Sequence, residues 1–190
     1  MELPGGILNP LTIRLFNAVY YYSHYKRTST QISDYEPFFY PLDSIANWNR
    51  IYGSHGFLQW QCLVPLDHGE TVIKEILRSI ARSGKGSFLT VMKLMGAKPA
   101  AGMMSFARPG ITLAMDFPVG DGSVFSLLDS LDEMVSQAGG ALYPAKDARM
   151  SGGAFQASYP NWRSFAKYID PRFSSSLWRR VTGETSGTKN

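Results

Sequence analysis

The chemistry-bearing stretch of this 190-residue chain is Gly140-Ala141-Leu142-Tyr143-Pro144-Ala145-Lys146-Asp147-Ala148-Arg149. It follows the longest amphipathic helix candidate, opens as a short apolar strand and breaks at Pro144. It then presents a lysine, an aspartate and an arginine within four residues. A lysine just past a strand end is held by the sheet and still reaches into a cleft. An ammonium held there can stabilise developing negative charge, or assist proton removal if its pKa is lowered. The same spacing also describes a solvated turn lysine paired with Asp147, because exposed charges and weak surface pairs are common.

Three further polar residues stand out against apolar surroundings. Phe57 to Pro65 reads as a strand with Leu58, Trp60, Cys62 and Val64 on one face. Its other face carries Phe57, Gln59, Gln61 and Leu63. A buried amide must be hydrogen-bonded, so that face meets something polar, or else it sees water. Lys93 projects from a second apolar run, Phe88 to Met95. His24, His55 and His68 are scattered and lack metal-ligand spacing. There is no G-x-G-x-x-G after a strand, no phosphate-loop motif, no H-E-x-x-H and no G-x-S-x-G. Gly84-Lys85-Gly86-Ser87 lacks the length and the following helix of a phosphate loop and reads as a turn.

The elements that must position these residues follow a recognisable order. Helix is expected over 7–25 with Asn9 as N-cap, over 70–83, and over 124–137. Tyr35 to Pro41 is aromatic and bracketed by prolines, which suggests an extended, ligand-lining segment or a plug of core aromatics. Asp43 is expected to cap a short helix from Ser44 to Tyr52. Strands are expected over 57–65, 88–95, 111–118 and 141–143. Strand, helix, strand, strand, helix, strand is the ferredoxin-like βαββαβ order, an α+β fold. Its helices cover one face of an antiparallel sheet and leave the other open. Gln59, Gln61 and Lys93 are candidates for that open face. Short helices are expected after Ser151, after Pro160 and from Ser174 to Val181, and residues 183–190 are expected to be a disordered tail.

Bulk composition bounds the partners. Hydrophobic residues make up 44% and charged residues 18%, so the chain folds rather than staying disordered. Aromatics reach 13%, which suits a filled core or a planar ligand. The single cysteine, Cys62, excludes an internal disulfide and a cysteine-based zinc site. Residues 1–159 carry 13 Lys/Arg and 13 Asp/Glu, and residues 160–190 carry six against two, so the net charge of +4 sits at the C-terminal end. Four net charges are too few for a nucleic-acid footprint, and membrane contact is at most peripheral. No basic region followed by an apolar run opens the chain, and no apolar stretch approaches the ~20 residues of a membrane helix, so a cytoplasmic location is expected, peripheral to the inner membrane at most.

Several segments together carry a family resemblance. They are Asn9-Pro10-Leu11-Thr12, Phe39-Tyr40-Pro41-Leu42-Asp43, Trp48-Asn49-Arg50-x-Tyr52-Gly53, Gly56 to Gln61, Ser87-Phe88-Leu89-x-Val91-x-Lys93, Asp116-Phe117-Pro118 and Gly139 to Arg149. The chain resembles the C-terminal cap domain of FAD-linked oxidases of the vanillyl-alcohol-oxidase type. Within these it is most similar to the decaprenylphosphoryl-β-D-ribose 2-oxidase-like and aldonolactone-oxidase-like proteins. The resemblance implies one cap domain over 1–182, with 57–143 as its core. It implies FAD as cofactor, most of it bound by an N-terminal domain absent from this sequence, so that an FAD-binding domain or subunit is a partner. It implies that Lys146 contacts flavin and substrate and is catalytic, with Tyr143, Ala145 and Gln61 also along the flavin. Gln59, Lys93, Thr112 and Phe39 are implied at the substrate. The chemistry would be oxidation of a sugar-type carbinol or aldonolactone by hydride transfer to flavin N5, with Lys146 stabilising the reduced ring. Thr112 stands where mycobacterial enzymes have asparagine, Ala114 where they have cysteine, and Phe39 where they have tyrosine, which leaves the substrate open. A free cap face would favour self-association. The other class of function the residues allow is a non-catalytic ligand- or protein-binding module using the open sheet face.

Overall fold

The structure, a computed structural model, describes residues 9–24, 28, 30, 32–40, 46–86, 89–146 and 149–183. Helix α1 (Pro10–Ser23) starts as its sequence requires. The Asn9 side chain accepts from the N–H groups of Leu11 and Thr12, both at 3.0 Å, and Thr12 Oγ1 accepts from the Asn9 N–H at 3.1 Å. That reciprocal cap, with Pro10 at the first turn, satisfies donors the helix cannot pair internally.

The aromatic segment corrects the sequence expectation. Tyr35–Phe39 is a short helix, α2, not an extended strap. Pro37 is its third residue, where no intrahelical bond needs the missing N–H, so the ring does not break it. The expected helix from Ser44 to Tyr52 also differs where it is described. Among the described residues of that stretch, 46–52, Trp48–Tyr52 is helical, a 3₁₀ stretch, because Asn47 takes the left-handed conformation (φ 56°) immediately before it. Asp43 and Ser44 lie outside the described residues.

From residue 57 the expected order holds. β1 (Phe57–Val64), α3 (Leu66–Ser83), β2 (Thr90–Met95), β3 (Gly110–Pro118), α4 (Val124–Gln137) and β4 (Ala141–Leu142) follow in turn. α3 begins four residues before the expected Glu70, directly after Pro65, with Asp67 placed favourably in its first turn. The sheet is antiparallel with strand order β2-β3-β1-β4. This makes an α+β fold with α3 and α4 on one side of the sheet. Helix α3 packs on β1 and β3, and α4 packs on β1 and β4.

The core lies between that side of the sheet and the helices. Trp60, Cys62 and Val64 of β1 and Leu113, Met115 and Phe117 of β3 meet Ile73, Ile76, Ile80, Val124, Leu128, Leu131 and Val135. Cys62 is free and fully buried, and burial pushes its thiol up to about 12, which keeps it a small hydrophobe. Helices α5 (Gly152–Ser158), α6 (Trp162–Ala166) and α7 (Ser176–Thr182) close the β4 end, where buried Tyr159 donates to Leu142 O at 2.8 Å. Gly140, between α4 and β4, has no room for a side chain: a Cβ there would lie 2.5 Å from Leu63 O and 2.7 Å from Val135 Cγ1.

Candidate functional site

The strand register decides what shares the uncovered face. Gln59 sits opposite Asp116, Gln61 opposite Ala114, and Leu63 opposite Thr112. On the other side of β3, Lys93 sits opposite Thr112 and Val91 opposite Ala114. Side chains alternate across a strand, so Gln59, Gln61, Lys93, Thr112, Ala114 and Asp116 form one polar strip. Apolar residues bound it at both ends. At one end Tyr52 stacks on Phe57, centroids 4.5 Å apart, with Trp48 against both. At the other, buried Leu63, Phe106 and Ala141 pack with Met95 and Tyr143, and the rings of Phe106 and Tyr143 are 4.8 Å apart.

Within the strip the polar groups hold one another. Gln59 Nε2 donates to Asp116 Oδ1 at 3.1 Å, and the Tyr52 hydroxyl donates to Asp116 Oδ2 at 3.3 Å. Gln61 Nε2 donates to Thr112 Oγ1 at 3.0 Å, and that hydroxyl donates to Cys62 O at 2.8 Å. Burial pushes the Asp116 carboxyl above the usual carboxylate range, while the bonds from Gln59 and Tyr52 and the charge of Lys146 pull it part of the way back.

Lys146 arrives from the β4 side. Tyr143 N–H donates to Gln61 O at 2.9 Å, which ties the segment after β4 to β1. A single 3₁₀ turn, Pro144–Lys146, follows, with the Lys146 N–H donating to Tyr143 O at 3.2 Å. The half-buried Lys146 then lines a cleft of about 30 Å³ with Gln59, Gln61 and Tyr143. That is room for water, against roughly 300 Å³ or more for an enclosed small-molecule pocket. The strip is therefore an open polar surface beside a water-sized cleft, not an enclosed pocket.

The structure brings together most of the residues singled out from sequence, in different states. Gln59 and Lys93 are exposed, and Gln61, Tyr143 and Lys146 are half-buried. Ala145 is exposed on the turn before Lys146. Thr112 is buried, and its hydroxyl is occupied by Cys62 O and Gln61. Phe39 stands apart on α2, 67% exposed, with its ring against Phe38 and Tyr40. Asp147 lies outside the described residues, so its pairing with Lys146 is not described. Sequence reasoning passed over Asp116 and Tyr52 as site residues. The signal was available for Asp116: it is an ionisable group inside the apolar run Ile111 to Pro118, two residues past Ala114 on the same face.

A second polar cluster lies behind the strip. Arg149 donates to Asp132 Oδ2 at 2.8 Å and pairs with Asp129, and the Trp60 indole N–H donates to Asp132 Oδ1 at 2.7 Å. Burial pushes the Asp132 carboxyl up, against the lowering effects of Trp60 and Arg149.

No family model matches the chain. It is 37% identical over 186 residues to the decaprenylphosphoryl-β-D-ribose oxidase of Mycolicibacterium smegmatis, a match covering 94% of this chain and 39% of that protein. It is 32% identical over 132 residues to an uncharacterised protein from the mprA 5′ region of Streptomyces coelicolor, covering 66% of this chain and 35% of that one. The chain thus spans well under half the length of these relatives. The first match bears out the resemblance carried by the motifs.

Proposed function

Belonging, as a segment, to the FAD-linked oxidases related to decaprenylphosphoryl-β-D-ribose oxidase, this chain is, we propose, the cap domain that closes the substrate side of such an enzyme. The observation that carries the reading is the match across 94% of this chain to a protein in which it fills only 39% of the length. The rest of the catalytic unit, including the FAD-binding domain, would lie outside these 190 residues. The substrate would be a sugar-type carbinol or aldonolactone. Residues 1–182 would act as one unit, in the cytoplasm, with no more than peripheral membrane contact. Among the described residues no helix is long and apolar enough to cross a membrane.

The residues fit one side of a planar ring. Tyr143, backed by buried Phe106, offers an aromatic ring, Gln61 an amide, and Lys146 a positive charge along the same cleft. The flavin, when bound, supplies the hydride acceptor. Lys146 would favour negative charge accumulating on that ring, and one such fixed donor is worth roughly 3–4 kcal/mol in favourable cases. Gln59 and Lys93, both exposed, would face substrate hydroxyls, with Asp116 and Thr112 buried beneath them and holding the glutamine side chains in place. Thr112 and Ala114, standing where mycobacterial enzymes carry asparagine and cysteine, would alter which sugar fits.

The test is a titration of the purified chain with FAD, read by flavin fluorescence and absorbance, with and without a separately expressed FAD-binding domain. Flavin capture only in the mixture, with flavin reduction by a sugar alcohol or lactone, is expected. Lys146→Ala is expected to abolish that reduction. Failure of flavin to bind under either condition overturns the reading in favour of a non-catalytic binding module.

A further inference from the structure

Asp132 joins the two halves of the candidate site from behind. It sits on α4, its side chain only 13% exposed, and each of its carboxylate oxygens has its own partner. Oδ1 accepts from the indole of Trp60, which lies between Gln59 and Gln61 in β1 but points to the covered side. Oδ2 accepts from Arg149, three residues after Lys146. One carboxylate thus grips the strand that carries the glutamines and the segment that carries the lysine. That grip matters because β4 is only two residues long and the Lys146 turn that follows it is one short 3₁₀ stretch, with the Lys146 N–H on Tyr143 O at 3.2 Å. Asp129 takes the other side of the Arg149 guanidinium. Arg149 lines the same cleft as Lys146, and two carboxylates hold its charge back from any anionic group placed there.

We propose that Asp132 is a positioning residue: by binding Trp60 with one oxygen and Arg149 with the other, it fixes the Lys146 ammonium against the Gln59–Gln61 edge of the sheet. This rests on the reading that Lys146 faces the ligand. Displacing a group by about 1 Å costs roughly 10²-fold in rate where geometry is critical, so the back-side bridge acts on the chemistry without touching the ligand.

The test uses the isolated 190-residue chain, isotope-labelled for NMR. Asp132→Asn is expected to move the Trp60 indole N–H signal, shift the Lys146 side-chain signals, and speed exchange of the Tyr143 amide roughly tenfold, the factor a hydrogen bond to a charged group sets. Asp132→Glu should restore part of each change. Should Asp132→Asn fail to fold, Arg149→Gln carries the test, since it leaves Asp132 bonded to Trp60 and should move Lys146 alone. Glu133→Gln, on the same helix and outside this cluster, should leave all three signals unchanged. Lys146 signals and Tyr143 exchange that stay put in both Asp132→Asn and Arg149→Gln overturn the inference. In the FAD-loaded mixture, retained flavin reduction in Lys146→Ala would sink the functional reading but leave the NMR result, and so the positioning role, standing.

Discussion

The two faces of the sheet are built from the same strands and differ in what satisfies them. On the covered face Trp60, Cys62, Val64, Leu113, Met115 and Phe117 meet apolar helix residues, and the Asp132 carboxylate beside them has a partner for each oxygen. On the open face Gln59, Gln61, Thr112 and Asp116 bond mainly to each other, and Lys93 extends into solvent. Apolar burial contributes free energy in proportion to area whatever the partner, so the covered face stabilises the fold. The exposed polar groups there, Gln59 and Lys93, add little stability and remain able to exchange partners, while buried Thr112 and Asp116 need the bonds they make. The difference separates what makes this chain fold from what could make it bind.

That comparison can be broken most severely from the covered side. Phe117→Ala should destabilise the chain by about 3–5 kcal/mol, because the ring is fully buried and truncation leaves a cavity. Denaturant unfolding measures it, and a loss under about 1 kcal/mol would mean the core is looser than its packing implies. Gly140→Ala should cost about 1–3 kcal/mol, since its Cβ would collide with Leu63 O and Val135. The damage should appear as lost amide protection in β4. Thr112→Val should cost about 1–2 kcal/mol by leaving Cys62 O without its hydroxyl donor. Gln59→Ala, on the open face, should lie within about 0.5 kcal/mol of wild type. If the proposed function is right, it should nonetheless weaken substrate turnover in the FAD-loaded mixture.

The smallest effect is a pH slope shared by both faces. Asp116 and Asp132 are both raised above the ordinary value of 3.8 by burial. A carboxyl raised on folding binds its proton more tightly in the folded chain than in the unfolded one. Its contribution therefore favours folding while it is protonated and is lost as pH climbs from 3.8 through the raised value. Asp116→Asn should gain stability relative to wild type over that climb, read from unfolding midpoints at about pH 4 to 7. A difference independent of pH would mean that the bonds from Gln59 and Tyr52 and the charge of Lys146 fully offset the burial.

Much of this was legible in the sequence because it depends on local periodicity. Alternation in Phe57–Val64 assigns Gln59 and Gln61 to one face and Trp60 and Cys62 to the other before any partner is known. The helical stripe over residues 124–137 and the Gly139-Gly140 stop mark α4 and its end to the residue. Where local signals conflicted, the reading failed. Pro37 suggested extended chain, but its place in the first turn of α2 made it harmless. Asn47 gave no warning of its left-handed backbone.

The sequence by itself determined which residues would be apolar or polar on each element, and the order βαββαβ. Covalent neighbours and side-chain period set those, and neither needs the rest of the chain. Only the tertiary structure decided who meets whom. Register placed Asp116 opposite Gln59, 57 residues away, and α4 brought Asp132 within 2.7 Å of Trp60, 72 residues away. Contacts across such separations are fixed by packing of the whole core, in which a one-residue slip of β1 would exchange the two faces. That is why Lys146 could be singled out from its motif, while the carboxylate proposed to hold it in place could not.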